Sequence, residues 1–428
     1  MSGGYLGMRL TLLGTGAADG WPNPFCTCAS CGWARDAGLI RSQTAVLVND
    51  DLLLDCGPEV PRAADRLGAS LAAVRHLLLT SAHAALLARS RAERPEPLEL
   101  IGPPAALAAS ADWVAPGDPV RPIAVTPGDR LELGRYAVRV LAADHPDGAV
   151  LYELDGRVLY AADTGPLPAS TVDAVAGAGY SAVLMALTGD GDQHLDGDSF
   201  PRQLAELRRR GAVTETTRVL AVHLGHRNPP GAELARRLAC WGAETLPDGA
   251  VVDVGAERPP SRPEAPRRVL ILGGARSGKS AEAERRLAAE PQVTYVATGP
   301  AADRERDPDW AARVARHVAR RPPGWRTVET ADLPPLLRDL TDPMLIDCLT
   351  LWLAAHLDDQ DAVEALVAAW RDTSGYAVLV SNEVGSGVHP STAVGRAFRD
   401  ALGTLNARLA AVSDEVWLVT AGIAHRLA

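Results

Sequence analysis

Short apolar runs separated by Gly, Pro and Asp residues fill the first part of the chain. Examples are MRLTLLG at residues 8–14, HLLLTS at residues 76–81 and RVLAVHLGH at residues 218–226. Apolar runs of this length with turn-forming residues at their ends are typical of β-strands, and helical stretches lie between some of them. The pattern predicts a layered α/β sandwich of strands and helices.

Apolar runs and helical stretches alternate regularly in the last part of the chain. The strand-like runs are RVLILGG, VTYVATG, MLIDCL, YAVLVSNEVG and EVWLVTAG, which begin at residues 268, 293, 344, 376 and 415. Helical stretches between them include residues 310–321 and 393–412. Strands that alternate with helices predict a parallel sheet covered by helices on both faces.

One Pro- and Arg-rich stretch, GAERPPSRPEAPRR at residues 255–268, interrupts the apolar pattern. A chain of 428 residues is also too long for one ordinary hydrophobic core. We therefore predict two domains, at residues 1–254 and 267–428, joined by a linker at residues 255–266.

Composition and charge narrow the class of protein. Hydrophobic residues make up 47% of the chain and charged residues 22%, which is typical of a globular protein. The formal net charge of −10 argues against nucleic acid as the main partner. No apolar run reaches about 18 residues, so we expect no membrane span. The N-terminus lacks the features of an export signal, and the six cysteines do not have the pattern of a secreted disulfide framework, so we expect a cytoplasmic protein.

A glycine-rich loop after the strand-like run at residue 268 has the full pattern of a phosphate-binding loop. Gly273 and Gly278 stand at the required spacing, and Lys279 and Ser280 complete the pattern. Backbone N–H groups of such a loop converge on phosphate oxygens at a helix N-terminus. We expect Lys279 to reach the β- and γ-phosphates and the Ser280 hydroxyl to hold Mg²⁺. The predicted nucleotide contacts are Gly273, Gly274, Ala275, Arg276, Ser277, Gly278, Lys279 and Ser280.

Two further features suit phosphoryl transfer. Asp347 ends an apolar run, where its carboxylate would bind Mg²⁺ from a neighbouring strand; an ordinary turn aspartate is the alternative. The helical stretch at residues 310–321 places His317 and Arg321 along one face, and its arginines would contact phosphates. From the pattern alone, His317 is better explained as a half-buried helix histidine without chemistry.

Seven segments of the second domain, in order, resemble the bifunctional adenosylcobinamide kinase/adenosylcobinamide-phosphate guanylyltransferases of cobalamin assembly. They are GGARSGKS, VATG, ARVARHVARRPPGWRTVE, DCLTLWL, VSNEVGSGVHP, FRDALGTLNARLA and DEVWLVTAG, within residues 267–428. The resemblance implies a RecA-like fold and two reactions. A nucleoside triphosphate, ATP or GTP, phosphorylates adenosylcobinamide; GTP then transfers GMP to adenosylcobinamide phosphate, which gives adenosylcobinamide-GDP.

The resemblance also implies roles for residues of this chain. The family's guanylylated histidine falls in ARVARH and maps to His317, with Lys279 as the other catalytic residue. A neutral imidazole is a good nucleophile near neutral pH, and a phosphoramidate is a reactive donor. Asn382 and Glu383 would contact corrin or phosphate, and Glu329 would bind guanine. Family members are often homo-oligomers, which would place residues of two chains in one site. The further nucleotide contacts expected are Ala297, Thr298, Gly299, Arg320, Arg321, Glu329 and Asp347.

Segments of the first domain resemble the metallo-β-lactamase superfamily, and within it the cyclic phosphodiesterases of phosphonate breakdown. They are LLGTGAADGWPNPFCTCASC, LLLDCGPE, ADHPD, YAADTG and VLAVHLGH, within residues 8–254. The resemblance implies an αββα sandwich with a two-metal site. Residues that match this site are Asp55, His83, His145, Asp163 and His223, whereas Ser81, Ala85 and Leu86 stand where two histidines and an aspartate belong.

These replacements leave His83, His145 and Asp163 around the first metal position, numerically enough for one zinc ion. The second metal position keeps only Asp163 and His223. We therefore expect a scaffold domain with a degenerate site rather than a working dinuclear hydrolase.

A separate structural zinc site is implied near the N-terminus. Cys26, Cys28 and Cys31 form a tight trio, and the phosphodiesterase relatives close such a site with a histidine that maps to His226. Three reduced thiols in a loop are the alternative.

We interpret the chain as a cobalamin-assembly enzyme in which a degenerate metallo-hydrolase domain precedes a kinase/guanylyltransferase domain. Its partners would be adenosylcobinamide, adenosylcobinamide phosphate and ATP or GTP with Mg²⁺. Two alternatives stay open. Nucleotide binding at the loop would switch the first domain or a partner, or the first domain would be a phosphodiesterase regulated by the second.

Overall fold

The computed structural model describes residues 7–81, 97–114, 117–191, 193–255, 267–299, 308–322 and 324–428. The chain forms two compact units, Met1–Pro263 and Glu264–Ala428. The predicted linker at residues 255–266 lies outside the described residues except for Gly255. His83, Ala85 and Leu86 lie outside them as well.

The first sheet of the first unit begins with antiparallel strands and continues with parallel ones. Its described strands are β1 (Met8–Gly14), β2 (Ala45–Val48), β3 (Leu52–Leu54), β4 (His76–Leu78), β5 (Leu98–Gly102), β6 (Val120–Ala124) and β13 (Val251–Val254). They are ordered β13-β1-β2-β3-β4-β5-β6, and β3 to β6 run parallel. Asn49 and Asp50 have positive φ angles, the conformation that a tight turn between β2 and β3 requires.

The second sheet of this unit ends in three parallel strands. Its described strands are β7 (Arg130–Leu133), β8 (Tyr136–Ala142), β9 (Val150–Leu154), β10 (Val158–Ala161), β11 (Ala182–Ala186) and β12 (Arg218–Val222). Their order is β12-β11-β10-β9-β8-β7, with β10, β11 and β12 parallel to one another. The described helices of the unit are α1 (Ala29–Asp36), α2 (Val60–Arg66), α3 (Pro104–Ser110), α4 (Ala169–Ala174), α5 (Ser199–Arg209) and α6 (Gly231–Cys240).

The two sheets pack face to face. One buried cluster joins Leu10 of the first sheet to Val140 and Leu184 of the second. The other face of the first sheet is covered by α2 and α3, which contribute Val60 and Ala106 to a second cluster. Helix α4 packs against β8 of the second sheet. The expected αββα sandwich is therefore confirmed.

The second unit is built on a single sheet. Its described strands are β14 (Arg268–Gly273), β15 (Val293–Ala297), β16 (Trp325–Glu329), β17 (Met344–Asp347), β18 (Ala377–Asn382), β19 (Glu415–Thr420) and β20 (Ile423–Arg426). Their order is β16-β15-β17-β18-β14-β19-β20, and all are parallel except β20. The described helices are α7 (Lys279–Leu287), α8 (Pro308–Arg320), α9 (Leu333–Arg338), α10 (Leu349–Ala355), α11 (Gln360–Asp372) and α12 (Ala393–Ala410).

Helices cover both faces of this sheet. Ala283 and Leu287 of α7 pack on one face, and residues of α9 to α12, such as Trp370 and Leu405, pack on the other. The predicted parallel sheet with two covered faces is confirmed, and β18 separates the loop-bearing strand β14 from β17. Among the described residues, no helix combines the length and the apolar character that crossing a membrane requires.

Candidate functional site

The phosphate-binding loop of the second unit connects the carboxyl end of β14 to the start of α7. Gly273 is the last residue of β14, and α7 begins at Lys279. Gly278 precedes the helix with a φ of 99°, which glycine adopts without the strain that a Cβ would cause. The loop therefore brings backbone N–H groups and the N-terminus of α7 to the carboxyl edge of the sheet, where anions are stabilised.

Gly273 stands where the loop approaches the neighbouring strand most closely. A Cβ atom on it would lie 2.4 Å from Ser277 Oγ and 2.6 Å from the carbonyl oxygen of Val419. The turn after β19 closes the same side of the loop, because the Gly422 N–H donates to the Ser277 carbonyl oxygen at 2.8 Å. The loop conformation thus depends on a glycine at position 273.

The other predicted loop contacts lie on the open side of the loop or in the first turn of α7. Ala275 and Arg276 are exposed, and a Cβ on Gly274 would meet no atom within 4 Å. Lys279 is buried, and its Nζ donates to the Gly274 carbonyl oxygen at 3.2 Å. Ser280 is half-buried in the first turn of the helix. The ammonium group therefore lies against the loop that would bind the phosphates.

Asp347 lies at the same edge of the sheet, at the end of β17. It pairs in register with Val380 of β18, the strand that lies between β17 and the loop-bearing strand. The Tyr295 hydroxyl donates to Asp347 Oδ2 at 3.0 Å. Burial and the negative charge of Asp347 raise the pKa of that hydroxyl above its ordinary value, so Tyr295 stays a hydrogen-bond donor. The carboxylate is held at the edge where a nucleotide-bound cation would lie.

Thr298 and Arg321, two of the predicted nucleotide contacts, donate hydrogen bonds to other residues of the second unit. The Thr298 hydroxyl donates to the Cys348 carbonyl oxygen at 2.6 Å, and Arg321 donates to Thr327 Oγ1 at 2.7 Å. The Arg321 guanidinium also lies over the Tyr295 ring, with its Cζ 3.3 Å from the ring centroid. The predicted position of Arg321 on the helix face was wrong, because α8 ends at Arg320, two residues before a proline that disfavours helix continuation.

Ala297 and Glu329 complete the row of predicted contacts along this edge. Ala297 ends β15 and pairs in register with Glu329 on one side and with Asp347 on the other. Gly299 follows two residues later, and Glu329 is exposed. The structure therefore brings the predicted base-binding carboxylate to the same edge as the predicted metal-binding carboxylate.

Helix α8 contains His317 and Arg320, whose side chains lie outside the described part of the structure. Along the helix Ala311 is buried, Val314 is half-buried and Val318 is 52% exposed. These residues lie on one face at i, i+3 and i+7, so the burial of that face decreases from the start of the helix toward its end. The catalytic role of His317 stays a prediction.

Asn382, which the resemblance assigns to corrin or phosphate contact, lies beside the first residue of the phosphate-binding loop. It ends β18 directly beside Gly273, between the loop-bearing strand and the strand of Asp347. Its Oδ1 is buried and has no hydrogen-bond partner among the described residues. The Asn406 amide donates to the Asn382 carbonyl oxygen at 3.0 Å and fixes the end of the strand. The central location of β18 in the sheet, which sequence pattern does not give, is what places Asn382 here.

The four predicted ligands of a structural zinc site lie together in the first unit. One ligand atom from each of Cys26, Cys28, Cys31 and His226 lies within 4.8 Å of the others, and Cys28 Sγ is 3.7 Å from His226 Nδ1. Zinc bonds of about 2.3 Å to sulfur and about 2.0 Å to nitrogen at tetrahedral angles would separate such a pair by about 3.6 Å. The donor set and its spacing fit a closed tetrahedral zinc site.

Outer contacts hold these ligands in place. His226 Nε2 lies 3.2 Å from Asp19 Oδ2, so the ring nitrogen that faces away from the cysteines has a carboxylate partner. The Arg35 guanidinium donates to the carbonyl oxygens of Asn23 and Cys26, both at 2.7 Å. Carboxylate–histidine contacts of this kind orient the ligands of metal sites.

Electrostatics around the trio differ from one cysteine to the next. The hydrogen bond with His226 lowers the pKa of the Cys28 thiol to about 6, so Cys28 is a thiolate at neutral pH. Burial raises the pKa of the Cys31 thiol to about 11. A bound cation would stabilise both thiolates.

A second group of potential ligands lies at the carboxyl edge of the second sheet. Asp163 follows β10, His194 lies in the loop after β11, and His145 lies in the loop after β8. Asp163 Oδ1 is 3.0 Å from His194 Nε2 and 3.8 Å from His145 Nε2. His223, directly after β12, stacks on the His194 ring with 5.6 Å between the centroids.

Asp163 is the anion of this group. Burial opposes its ionised form, but the hydrogen bond from His194, the charge of His223, a hydrogen bond from Ser81 and the charge of His145 hold the pKa of that carboxyl below its ordinary value. The carboxylate is therefore ionised over the whole physiological pH range.

Asp55 is a second carboxylate near this edge, and its side chain is hydrogen-bonded to a residue that follows β4 of the first sheet and to a residue of β10 in the second sheet. It has a φ of 56° and accepts hydrogen bonds from the Thr80 N–H at 2.8 Å and the Tyr160 hydroxyl at 2.9 Å. Burial raises the pKa of Asp55 to about 6. A cavity of about 30 Å³, enough for a water molecule, lies beside Asp55. The cavity is lined by Ala18, Gln43, Thr44, Asp55, Gly57, Thr80, Asp163 and His223.

The described part of the structure adds a residue to the ligand set that the resemblance implied here, while the predicted ligand His83 lies outside it. Among the described residues, His145 and Asp163 lie together as expected, His194 is the third residue within ligand distance, and His223 is not part of that group. The parallel strands β10, β11 and β12 carry the loops with Asp163, His194 and His223 to one edge. Residues that follow adjacent parallel strands meet at one edge of the sheet, so the QHLDG loop after β11 identifies His194 once the strand order is known.

The residues present do not fit the dinuclear centre that the superfamily resemblance implies. Ser81, which stands in for the first histidine, offers a neutral hydroxyl beside Asp163. Ala85 and Leu86 replace the aspartate and the last histidine of the same run and carry no donor atom in their side chains.

Comparison with known proteins places the second unit among cobalamin-assembly enzymes. The family model described as cobinamide kinase / cobinamide phosphate guanyltransferase matches residues 269–427. The bifunctional adenosylcobalamin biosynthesis protein CobU of Salmonella typhimurium strain LT2 is 38% identical over 187 residues, which cover 37% of this chain and 98% of that protein. The corresponding protein CobP of Pseudomonas aeruginosa is 43% identical over 168 residues, which cover 36% of this chain and 94% of that protein.

Solved structures similar to the first unit have lower sequence identity to this chain than the relatives of the second unit have. A diphosphatase of the PhnP family is 19% identical with a TM-score of 0.48, over 58% of this chain and 97% of that one. The Zn²⁺-bound PqqB of Methylobacterium extorquens is 18% identical with a TM-score of 0.44, over 57% of this chain and 99% of that one. The metallo-β-lactamase fold protein YhfI of Bacillus subtilis is 17% identical with a TM-score of 0.44, over 58% and 100% of the two chains.

Proposed function

Because this chain belongs to the family of cobinamide kinases and cobinamide phosphate guanyltransferases, we propose that its second unit carries out both of these reactions in cobalamin biosynthesis. The observation that supports this most directly is the complete phosphate-binding loop at the carboxyl edge of a parallel sheet, with Asp347 at the same edge. The chain covers nearly the whole length of its relatives with residues of this unit alone, which agrees with a functional domain at residues 267–428.

In the first reaction, the terminal hydroxyl of adenosylcobinamide attacks the γ-phosphorus of a nucleoside triphosphate, and the nucleoside diphosphate leaves. The loop N–H groups and Lys279 bind the phosphates and stabilise the charge that develops on them. Ser280 and Asp347 would hold Mg²⁺, which when bound neutralises charge on the β- and γ-phosphates. Asn382, beside Gly273, would orient a phosphate oxygen or the attacking hydroxyl through its side-chain amide.

In the second reaction, a nitrogen of His317 attacks the α-phosphorus of GTP and pyrophosphate leaves. The guanylyl group is then bound to the imidazole as a phosphoramidate. A phosphate oxygen of adenosylcobinamide phosphate attacks the same phosphorus, the P–N bond breaks, and His317 is regenerated while adenosylcobinamide-GDP is released. Glu329, exposed at the edge of the sheet, would accept hydrogen bonds from the guanine N1–H and N2–H₂ groups and so favour GTP over ATP.

The first unit supplies structure in this proposal. Cys26, Cys28, Cys31 and His226 would hold a zinc ion that fixes the N-terminal loop to the segment after β12. No dinuclear hydrolysis is assigned to this unit, since the second metal position keeps only Asp163 and His223.

The test uses the full chain with adenosylcobinamide, GTP or ATP, and Mg²⁺. Mass spectrometry of the products should show adenosylcobinamide phosphate and, with GTP, adenosylcobinamide-GDP. Lys279→Ala should abolish both products, whereas the exposed first-unit variant Arg9→Ala serves as a control and should leave them unchanged. Binding of GTP without formation of either product would contradict the proposal and favour a nucleotide-dependent switch.

A second readout of nucleotide binding is available because Lys279 is the only lysine in the sequence. A lysine-directed acyl-phosphate derivative of ATP should acylate Lys279, and excess GTP should protect it. Peptide mapping separates this product from acylation of the N-terminal amine. Acylation that nucleotide does not reduce would contradict binding at the loop.

A further inference from the structure

We propose that the first unit holds one divalent transition metal ion between His145, Asp163 and His194, a site distinct both from the cysteine cluster and from a dinuclear hydrolase centre. The site does not depend on the transferase function of the second unit. It differs from the expected ligand set by one residue, His194, which none of the superfamily positions identified above supplies.

The fold brings the three ligands together from separate elements. Asp163 and His194 follow the adjacent parallel strands β10 and β11, whose carboxyl ends lie side by side. His145 reaches the same edge from the loop after β8. All three donor atoms lie within 4.8 Å of one another.

The distances suit one ion. Zinc bonds of about 2.1 Å at tetrahedral angles separate two ligand atoms by about 3.4 Å. The two contacts of Asp163 Oδ1, 3.0 Å to His194 Nε2 and 3.8 Å to His145 Nε2, bracket that value. Shifts of about 0.4 Å would bring both of these contacts to that separation.

The burial of the group creates a need for positive charge. The side chains of Asp163, His145 and His194 are only 4%, 8% and 19% exposed. Asp163 Oδ2 is buried and has no hydrogen-bond partner among the described residues. A buried carboxylate with an unpaired oxygen is costly, and a cation bound to the carboxylate offsets the charge part of that cost.

Within the described part of the chain, His145, Asp163 and His194 are the potential ligands that group at this site. Ser81 offers no strong donor where a histidine would have extended the site, and the His223 ring stacks on His194 and fixes its orientation. Two imidazoles and one carboxylate with an open coordination position suit Zn²⁺, which binds nitrogen and oxygen ligands and keeps water in the fourth position of such sites.

The test is the metal content of the full chain, without a polyhistidine tag, after loading with Zn²⁺ and gel filtration. Elemental analysis should give two zinc ions per chain for the wild type, one for His194→Asn and one for Cys28→Ser. His425→Asn changes an exposed histidine of the second unit and should leave two. Circular dichroism of each variant checks that it is folded, and His145→Asn, which should also give one zinc ion, provides a second variant of the site.

Cobalt distinguishes the two sites without relying on activity. In Co²⁺-loaded protein, Cys28→Ser should lose the intense thiolate-to-cobalt absorption and keep the weaker d–d bands, whereas His194→Asn should keep the thiolate absorption and lose part of the d–d intensity. The proposal is overturned if the wild type binds a single ion that Cys28→Ser removes. It is also overturned if both His194→Asn and His145→Asn still bind two.

Discussion

In both units, polar residues that follow parallel strands meet at the carboxyl edge of a sheet. The residue types at the two edges differ, and so does the chemistry that they support. In the second unit, the carboxyl ends of parallel strands carry Gly273 and Asp347 around a complete phosphate-binding loop. In the first unit, three adjacent parallel strands are followed by Asp163, His194 and His223, but partners for a second metal are missing. In both units, sheet topology brings the residues together at one edge, and the types of those residues determine which chemistry the edge can support.

A second difference separates the two ligand groups inside the first unit. The cysteine cluster is complete and has outer contacts from Asp19 and Arg35, as a site that maintains structure requires. The group around Asp163 has Ser81, Ala85 and Leu86 at positions where the superfamily resemblance implies metal ligands, but it still contains a buried anion. Retention of the first and erosion of the second are what we expect of a unit that serves as structure rather than as a hydrolase.

Lysine usage makes the contrast between the units sharper. Lysine and arginine together number 43, and only Lys279 is a lysine. Arginine carries the positive charge everywhere else, but its planar fork does not replace a compact ammonium that rotates among phosphate oxygens inside the loop. The loop therefore keeps the one residue type that the rest of the chain avoids.

The largest effect should come from Lys279. We expect Lys279→Ala to lower the rate of both reactions by about 10³-fold, because one preorganised charge contact in the transition state is lost. Lys279→Arg should recover only a small part of the rate. Product formation measured by liquid chromatography and mass spectrometry checks this. A Lys279→Arg enzyme with the wild-type rate would contradict the claim that arginine does not replace lysine in the loop.

Zinc removal should affect the first unit alone. Zinc at about 1,000 times its dissociation constant contributes about 4 kcal/mol to stability, so stripping the cysteine cluster should lower the Tm of the first unit by about 8–16 °C. Scanning calorimetry of the His194→Asn variant, which should lack the other proposed zinc ion, before and after treatment with a chelator and with Mg²⁺ restored, measures this. The transition of the second unit should not move. If the chelator left the Tm of the first unit unchanged, Cys26, Cys28 and Cys31 would be three ordinary thiols without zinc.

A matched pair of glycine variants sharpens the account of the loop. Gly273→Ala should destabilise the second unit by about 1–3 kcal/mol, because its Cβ would overlap Ser277 Oγ and the Val419 carbonyl oxygen. Gly274→Ala, whose Cβ meets no atom within 4 Å, should leave the Tm of the nucleotide-free protein unchanged. Equal effects of the two substitutions in calorimetry would contradict the close approach at Gly273.

The smallest effect concerns one thiol. In the zinc-free protein, the rate of Cys28 alkylation by iodoacetamide should rise with pH around a midpoint near 6, since His226 lowers the pKa of that thiol and only the thiolate reacts. His226→Ala should move the midpoint up toward about 8.5. Reloading zinc should suppress the reaction. Peptide mass spectrometry follows the alkylation rate of Cys28 against pH. The same midpoint in the wild type and in His226→Ala would contradict the contact between Cys28 and His226.

Much of the fold could be predicted from the sequence. Short apolar runs and their spacing gave the sandwich and the parallel sheet, because strand length and helix alternation are local properties of the chain. The loop from Gly273 to Ser280 and the ligand quartet that includes His226 were identified from motifs with fixed spacing or from family resemblance.

The position of His194, which was not predicted, depends on strand order. His194 reaches its site because β11 lies between β10 and β12, and strand order is set by contacts between residues far apart in sequence. The central place of β18 in its sheet likewise puts the predicted residue Asn382 beside Gly273. Arg321 was placed on the wrong element because the end of a helix before proline depends on local backbone sterics that apolar periodicity does not show.

The central claim is that the second unit transfers GMP through His317, and intact-protein mass spectrometry tests it most directly. After incubation of the full chain with GTP and Mg²⁺, the wild type and His425→Ala should gain the mass of one guanylyl group, and the adduct should be labile in acid and stable in base. His317→Ala should gain none. No adduct on the wild type, or the same adduct on His317→Ala, would contradict the covalent mechanism.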